Sequence, residues 1–307
     1  MRMGINGTGL VQKASIDAIA ADAARAAADG FTSYWLAEHP TGGFDAVTVL
    51  GFVGQRVPEI ELGTAIVPTY PRHPLALAGQ VLTIRSVIGD RFTLGIGLSH
   101  EVMMKDLGIG FEKPIRHLRE FLSILVPLLT DGKVDFDGEV LSCHAQVFQA
   151  PEKPCPVVVA ALGPQALKVA GSRTQGTTLA WVGPKTVREH IAPRLGEAAA
   201  AAGRPTPRII STLPVCVTNE VDAMRGLVSK LLAHYGQLPS YRAMFEREGV
   251  DGPGELALIG DEAFVRGRLE ELAEAGVTDF AATEFTPAEA DRVRTRELLM
   301  SYAETAA

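Results

Sequence analysis

Strand-like runs alternate with helical stretches along this chain, and the runs close on small clusters of glycine and polar residues. Three stand in the first hundred residues: Phe31-Thr32-Ser33-Tyr34-Trp35-Leu36-Ala37-Glu38-His39, Ile60-Glu61-Leu62-Gly63-Thr64-Ala65-Ile66, and Arg91-Phe92-Thr93-Leu94-Gly95-Ile96-Gly97-Leu98-Ser99-His100. Parallel strands cannot be joined by tight turns and need a crossover, which the helical stretches supply. The pattern therefore specifies a parallel α/β protein whose chemistry sits where strands hand over to loops.

Followed to its end, the rhythm predicts eight strand–helix units, a (β/α)8 TIM-like barrel with an insertion after strand four. Strand one is Met3 to Asn6. Ser15 caps a first helix whose apolar stripe, Ile16, Ile19, Ala20, Ala23 and Ala27, is mostly alanine, so that it can sit close to a sheet. Helices are expected at 44–56 and 74–88. The rhythm breaks over about 98–150, where a glycine- and methionine-bearing connection precedes a helix at 114–129 and a hairpin around Val134 to Val140. Long excursions of this kind are usually functional insertions. Strands five to eight are expected at 157–160, 177–181, 209–217 and 280–283, with helices at 164–170, 184–202, about 221–247 and 261–275. Thr286-Pro287-Ala288-Glu289 reads as a capping box with proline at the first helical position. The expected organisation is one barrel domain over 1–307.

Composition narrows the class. The chain has 307 residues, 47 % hydrophobic and 21 % charged, enough for a sizeable core. A net charge of -7 argues against nucleic acid as the main partner. Cys143, Cys155 and Cys216 have no Cys-x-x-Cys spacing and suit reduced thiols in a cytoplasm. The start, Met1 to Gly7, is too short and glycine-rich for a signal peptide. No apolar run approaches the ~18 to 20 residues of a membrane span. The expectation is a soluble, cytoplasmic protein acting on a small molecule.

Several strand ends carry residues suited to chemistry. Glu38 and His39 follow strand two; histidine exchanges protons near neutral pH and a carboxylate beside it tunes the site, though an ion-paired loop has the same residues. Gly63-Thr64-Ala65-Ile66 lets a flat ring approach the backbone, or makes a tight barrel corner. Gly95-Ile96-Gly97-Leu98-Ser99-His100-Glu101 is a glycine-bearing loop without the full Gly-x-Gly-x-x-Gly spacing. Met103 and Met104 suit either a cofactor ring or plain core. Leu162-Gly163-Pro164-Gln165 opens a helix whose free amides suit a ligand phosphate, with Lys185, Lys168 or Arg173 as a cation, or is an ordinary helix start. Trp181 closes strand six. The histidines lack metal-ligand spacing, so no metal is expected. Glu38 with Glu284 is the one pair of strand-end carboxylates suited to a glycosidase.

Taken in order and spacing, Ala37-Glu38-His39, Leu62-Gly63-Thr64-Ala65-Ile66, Arg72-His73-Pro74, Asp90 to Gly97, Ala161 to Leu167, Gly260-Asp261-Glu262 and Ala275 to Phe280 resemble the bacterial luciferase-like superfamily. Within it they resemble the oxidoreductases that use the deazaflavin coenzyme F420, over nearly the whole chain. The resemblance implies a deazaflavin at the C-terminal face of the barrel and hydride transfer at its C5. Glu38 and His39 then lie beside the ring. A bulge, commonly with a non-prolyl cis peptide, backs it at Thr64, Ala65 and Ile66. Gly97, Leu98 and Ser99 line it, Trp181 and Lys185 join the binding set, and the Leu162 and Gly163 amides hold the cofactor phosphate. A proton donor in the loop after strand four maps to His100 or Glu101. The resemblance also implies a homodimer formed through outer helices, and FMN in a luciferase-like monooxygenase is the alternative cofactor. The chain departs from the family pattern at Gln175-Gly176, where an Asp-Gly pair is usual.

Overall fold

Strands β1 (Arg2–Asn6), β2 (Ser33–Leu36), β3 (Glu61–Thr64), β4 (Phe92–Gly97), β5 (Val157–Val159), β6 (Gly176–Ala180), β7 (Arg208–Thr212) and β8 (Asp279–Glu284) pair in sequence order, and every pairing is parallel. The computed structural model describes residues 1–11, 15–40 and 42–306. β1 also pairs with β8, Met3 opposite Phe280 and Ile5 opposite Ala282, which closes the sheet into a barrel. The (β/α)8 expectation holds, insertion after strand four included.

Helices α1 (Ile16–Ala28), α2 (Ala46–Arg56), α3 (Pro74–Ile88), α4 (Pro114–Thr130), α5 (Pro164–Arg173), α6 (Ala192–Ala201), α7 (Glu262–Glu274) and α8 (Glu289–Ala306) lie among the strands. Their starts are chemically marked. Ser15 caps α1 by accepting from the Ala18 amide, Asp45 caps α2 through Thr48, and His73 caps α3 through Leu75 with Pro74 in the first turn. Ala20, Ala23 and Ala26 form the buried side of α1, so it lies close on the sheet.

The barrel interior is layered. At the N-terminal end Arg208 pairs with Glu61 and Asp279, each at 2.8 Å, and Arg2 joins Asp279. Burial would raise the Asp279 carboxyl, but Arg208 outweighs it and holds the group below the usual carboxylate range. Above this charged layer lie Trp35, Val158, Ile210 and Ala281. Gly63 makes room for Trp35: a Cβ there would stand 2.2 Å from the indole. The outward-facing residues of the same strands, Tyr34, Leu36, Leu94, Phe280 and Ala282 among them, form the main core against the helices.

Several boundaries differ from the sequence reading. The predicted strand at 209–217 is two segments on one edge of β8: β7 pairs with β6 and β8, while Pro214–Val217 keeps to β8, Pro214 opposite Thr283, and takes Leu258–Gly260 on its other side. The stretch 221–247 is likewise not one helix but Val221–Leu231, a 3-10 turn at Ala233–Gln237, and Pro239–Glu248. The helix expected over 184–202 contains a π turn at Val187–Ile191, next to Pro193, which has no amide to donate. The last helix starts at Glu289, not Pro287: its first i→i−4 bond runs from the Arg292 amide to the Ala288 carbonyl. In the excursion after β4, α4 is the barrel's own fourth helix. The hairpin Lys133–Asp137 with Ser142–Gln146 is fastened to it by Glu120, whose carboxylate accepts from the amides of Glu139, Val140 and Leu141 at 3.0, 2.7 and 2.8 Å. Among the described residues no helix is long and apolar enough to cross a membrane.

Candidate active site

The C-terminal mouth is floored by a defect in β3. Gly63 stands opposite Thr93, but Val67 stands opposite Ile96, so four steps along this strand match three along β4. One extra residue of this kind is a β-bulge. Pairing with β2 survives it, through Ala65 N to Leu36 O at 2.7 Å and Glu38 N to Ile66 O at 3.0 Å. The Ala65–Ile66 peptide within the bulge is cis, at the position the resemblance implies. The side chain of Thr64 closes the gap toward β4. Its hydroxyl donates to the Gly95 carbonyl and accepts from the Gly95 amide, both at 2.8 Å. Thr64 is fully buried, so it holds the bulge and offers no group to a ligand.

Beside the bulge, Gly97 leaves a flat patch. A Cβ at this position would lie 3.0 Å from Ile66 and 3.1 Å from Ala160. Ala65, Ile66, Gly97 and Ala160 thus make a floor of small and aliphatic groups with backbone close to the surface, a cradle suited to a planar ring. Asn6, at the end of β1, donates to Thr212 at 3.2 Å on the far side of the mouth. Sequence reasoning passed over both residues.

Glu38 and His39 separate. Ser33 and Trp35 face the barrel interior while Tyr34 and Leu36 face the helices, and Glu38 continues the outward series. Its carboxylate is held by Arg72, one contact at 3.0 Å, and it accepts from the Ala46 amide at 3.2 Å. Arg72 also pairs with Asp45, the α2 cap. Burial would raise the Asp45 carboxyl, but the Thr48 amide and Arg72 keep it below its ordinary value. Glu38 is therefore a fastening between the loops after β2 and β3. His39, three residues past the end of β2, is half-buried, with its ring free of hydrogen bonds among the described residues. Arg72 was quoted in the sequence as part of a motif; its partners are visible only in three dimensions.

The glycosidase pair does not form. Glu284 follows Phe280 and Ala282 on the outward face of β8, where it pairs with Arg296 of α8 at 2.7 Å. Burial raises its carboxyl above the ordinary value even beside that arginine. Both carboxylates of the pair point away from the mouth.

The loop after β4 places its residues unequally. Leu98 is half-buried, and Ser99 adopts a left-handed φ of 62° with its hydroxyl 3.6 Å from the Met103 sulfur. Met104 is core. His100 is half-buried with its ring 5.3 Å from that of Tyr241; burial, and then His234, lower its pKa. Glu101 is exposed on the first turn of a short helix, Glu101–Asp106. Of the two mapped proton donors, only His100 packs within the mouth.

Two helix starts face the same end of the barrel. At α5 the N-cap Gly163 is exposed and no side chain caps it. Leu162 is held by His190, whose Nε2–H donates to the Leu162 carbonyl at 2.7 Å. The amides at this start are positioned for an anion. The neighbouring start differs. The amides of Lys185 and Thr186 are taken by Glu248 at 3.2 and 2.7 Å, and the Lys185 side chain is exposed. Arg173 turns to Ser123 at 2.8 Å. Trp181 lies just past β6 with a left-handed φ of 60°, and its ring is 5.0 Å from Tyr235. Tyr235 and Tyr241 went unnoticed in the sequence, although their stretch holds two of only five tyrosines.

The sequence profile of the luciferase-like monooxygenases matches residues 3–279. The chain belongs to this family. Among relatives, an F420-dependent glucose-6-phosphate dehydrogenase of Kineococcus radiotolerans is 26% identical over 279 residues, covering 87% of this chain and 80% of the relative. The luciferase-like fold recurs in the F420-dependent tetrahydromethanopterin reductase of Methanopyrus kandleri, with a TM-score of 0.82, 22% identity and 99% of both chains covered. It recurs too in the FMN-bound oxygenating component of 3,6-diketocamphane monooxygenase from Pseudomonas putida, with a TM-score of 0.75, 16% identity, and 98% of this chain and 96% of that one covered.

Proposed function

We propose that the chain is an F420-dependent oxidoreductase that moves a hydride between the deazaflavin C5 and a small organic substrate. The observation that carries this reading is the floor at the bulge, where Gly97 lies so close to Ile66 and Ala160 that a Cβ would press on both, so that glycine keeps a flat strip of backbone suited to a planar ring. The uncapped start of α5 fits the phosphate of such a cofactor, with the Gly163 amide facing it and His190 fixing the loop behind. Once bound, the group supplies a two-electron hydride donor or acceptor.

The protein handles position and protons. The bulge supports one face of the ring, and the Glu38–Arg72–Asp45 cluster keeps the loop after β2 in place. From that loop His39 exchanges the proton that accompanies the hydride, so the substrate gains or loses two hydrogens in all. His100 borders the same space from the other side. FMN is the second reading, favoured by the FMN-bound neighbour; the F420-dependent name of the relative weighs toward the deazaflavin.

Equilibrium titration of purified protein with F420 and with FMN, followed by ligand fluorescence, tests the assignment. Micromolar or tighter F420 binding with much weaker FMN binding is expected, and the reverse order moves the protein to the flavin monooxygenases. Pairing of two copies through the outer helices belongs to the same proposal. α2 and α3 expose Phe52 and Val87 beside a groove of about 410 Å³. Sedimentation equilibrium on wild type and Phe52→Lys tests it, with loss of dimer expected in the variant.

A further inference from the structure

Rings from three separate loops meet above the mouth. Trp181 after β6 lies 5.0 Å from Tyr235, Tyr235 lies edge-on to Tyr241 at 5.5 Å, and Tyr241 reaches His100 of the loop after β4 at 5.3 Å. Tyr235 and Tyr241 sit on the excursion between Val217 and Leu258, which otherwise has no part in closing the barrel. Trp181 holds its place at a φ of 60°, unfavourable for a bulky side chain. His234 adds a further ring, 4.1 Å from Tyr235, and none of the cation–π contacts among the described residues involves Trp181, Tyr235, Tyr241 or His100. Burial, and then the neighbouring His234, lower the His100 pKa.

The position of this wall matters. In a closed barrel of eight strands, β6 and β7 stand across the mouth from β2 and β3. A ring resting on the bulge of β3 has one face covered and turns the other toward β6 and β7. Hydride transfer needs the substrate within about 3–3.5 Å of that open face. The substrate must therefore fit between the cofactor ring and these aromatic side chains.

We infer that Trp181, Tyr235, Tyr241 and His100 form the substrate wall, and that the substrate is an uncharged, planar aromatic or conjugated compound. The inference rests on the function proposed above. Stacked and edge-on ring contacts favour a flat π-system. A sugar phosphate, by contrast, brings a permanent anion, and none of these four side chains carries a permanent positive charge to pair with it after desolvation. On this reading the protein does not share the substrate of its glucose-6-phosphate dehydrogenase relative.

The two tryptophans make the test direct. Trp35 is sealed in the barrel interior, so only Trp181 can respond to a ligand at the wall. F420 binding is measured first. Protein saturated with F420 is then titrated with 1-naphthaldehyde, with cyclohexanone and with glucose 6-phosphate, each while tryptophan emission is read. Saturable quenching by 1-naphthaldehyde alone is expected, and its loss in Trp181→Phe assigns the signal. In steady-state reduction of 1-naphthaldehyde by reduced F420, Tyr241→Leu should raise KM about three- to tenfold with a smaller change in kcat, the size of one lost aromatic contact, and Tyr241→Phe should raise it less. Binding of glucose 6-phosphate in preference to 1-naphthaldehyde overturns the inference. So does quenching by F420 with no further response to the aldehyde, which puts the cofactor itself on the wall. If F420 does not bind, saturable quenching by the aldehyde still upholds the wall while the cofactor assignment falls; absence of both overturns both.

Discussion

Adjacent in sequence, Glu38 and His39 meet different surroundings because side chains alternate sides along an extended strand. Glu38 joins Arg72 and Asp45 in the helix layer, while His39 is half-buried with its ring free of hydrogen bonds among the described residues. Their substitutions should separate accordingly. His39→Ala is expected to leave the melting temperature and F420 affinity close to wild type while turnover falls about 10²- to 10⁴-fold, the range of a lost general acid or base. Circular dichroism melts beside single-turnover rates check this; wild-type rates would refute a catalytic His39. Arg72→Met strips a charged partner from two carboxylates at once and should cost about 2–3 kcal/mol in urea unfolding. It should also weaken cofactor binding, since the loop that carries His39 loses its anchor.

At the scale of elements, the bulge shows how far a strand's residues can specify its site. The small residues of Gly63-Thr64-Ala65 announced a close approach of backbone, but not which side chain would hold it. The structure gives that task to Thr64, whose hydroxyl replaces ladder bonds that the extra residue removes. Thr64→Val keeps the shape and deletes the hydroxyl, leaving the buried Gly95 amide without its acceptor and the Gly95 carbonyl without its donor. A loss of about 1–3 kcal/mol is expected from chemical denaturation. Gly97→Ala should act differently, with little loss of stability but weaker F420 binding in fluorescence titration, because the new methyl occupies the floor. The wall escaped the sequence reading for a related reason. Tyr235 and Tyr241 lie in a stretch read only as helical residues, and its division at Ala233–Gln237 and Pro239 brings their rings to Trp181.

Across the whole molecule, the barrel divides stability from chemistry along its axis. The Arg208–Glu61–Asp279 layer seals the N-terminal end, far from the loops that carry the site. Asp279 is held below the ordinary carboxylate value, so it adds stability that is fully present above about pH 4 and lost as pH falls through its depressed value. Arg208→Met should thus cost about 3 kcal/mol at pH 7, with the gap to wild type narrowing as unfolding is followed from pH 5 down to pH 3. Cofactor binding measured at pH 7 in that variant should stay near wild type, since the site lies at the opposite end.

What the sequence determined by itself was the periodic part of the protein. Alternation of strand and helix dictates a parallel barrel, the glycines past strand ends mark the mouth, and a local signal such as Ser15 sets a helix start within a turn. These are short-range consequences of backbone geometry and hydrogen bonding, so they are legible residue by residue. The tertiary structure alone decided how side chains far apart share work. It turned Glu38 and Glu284 outward to arginines 34 and 12 positions away, gave the second anion-binding helix start to Glu248, and gathered His100, Trp181, Tyr235 and Tyr241 into one wall. No pattern in one chain encodes those meetings, because each depends on barrel closure bringing distant loops to the same rim.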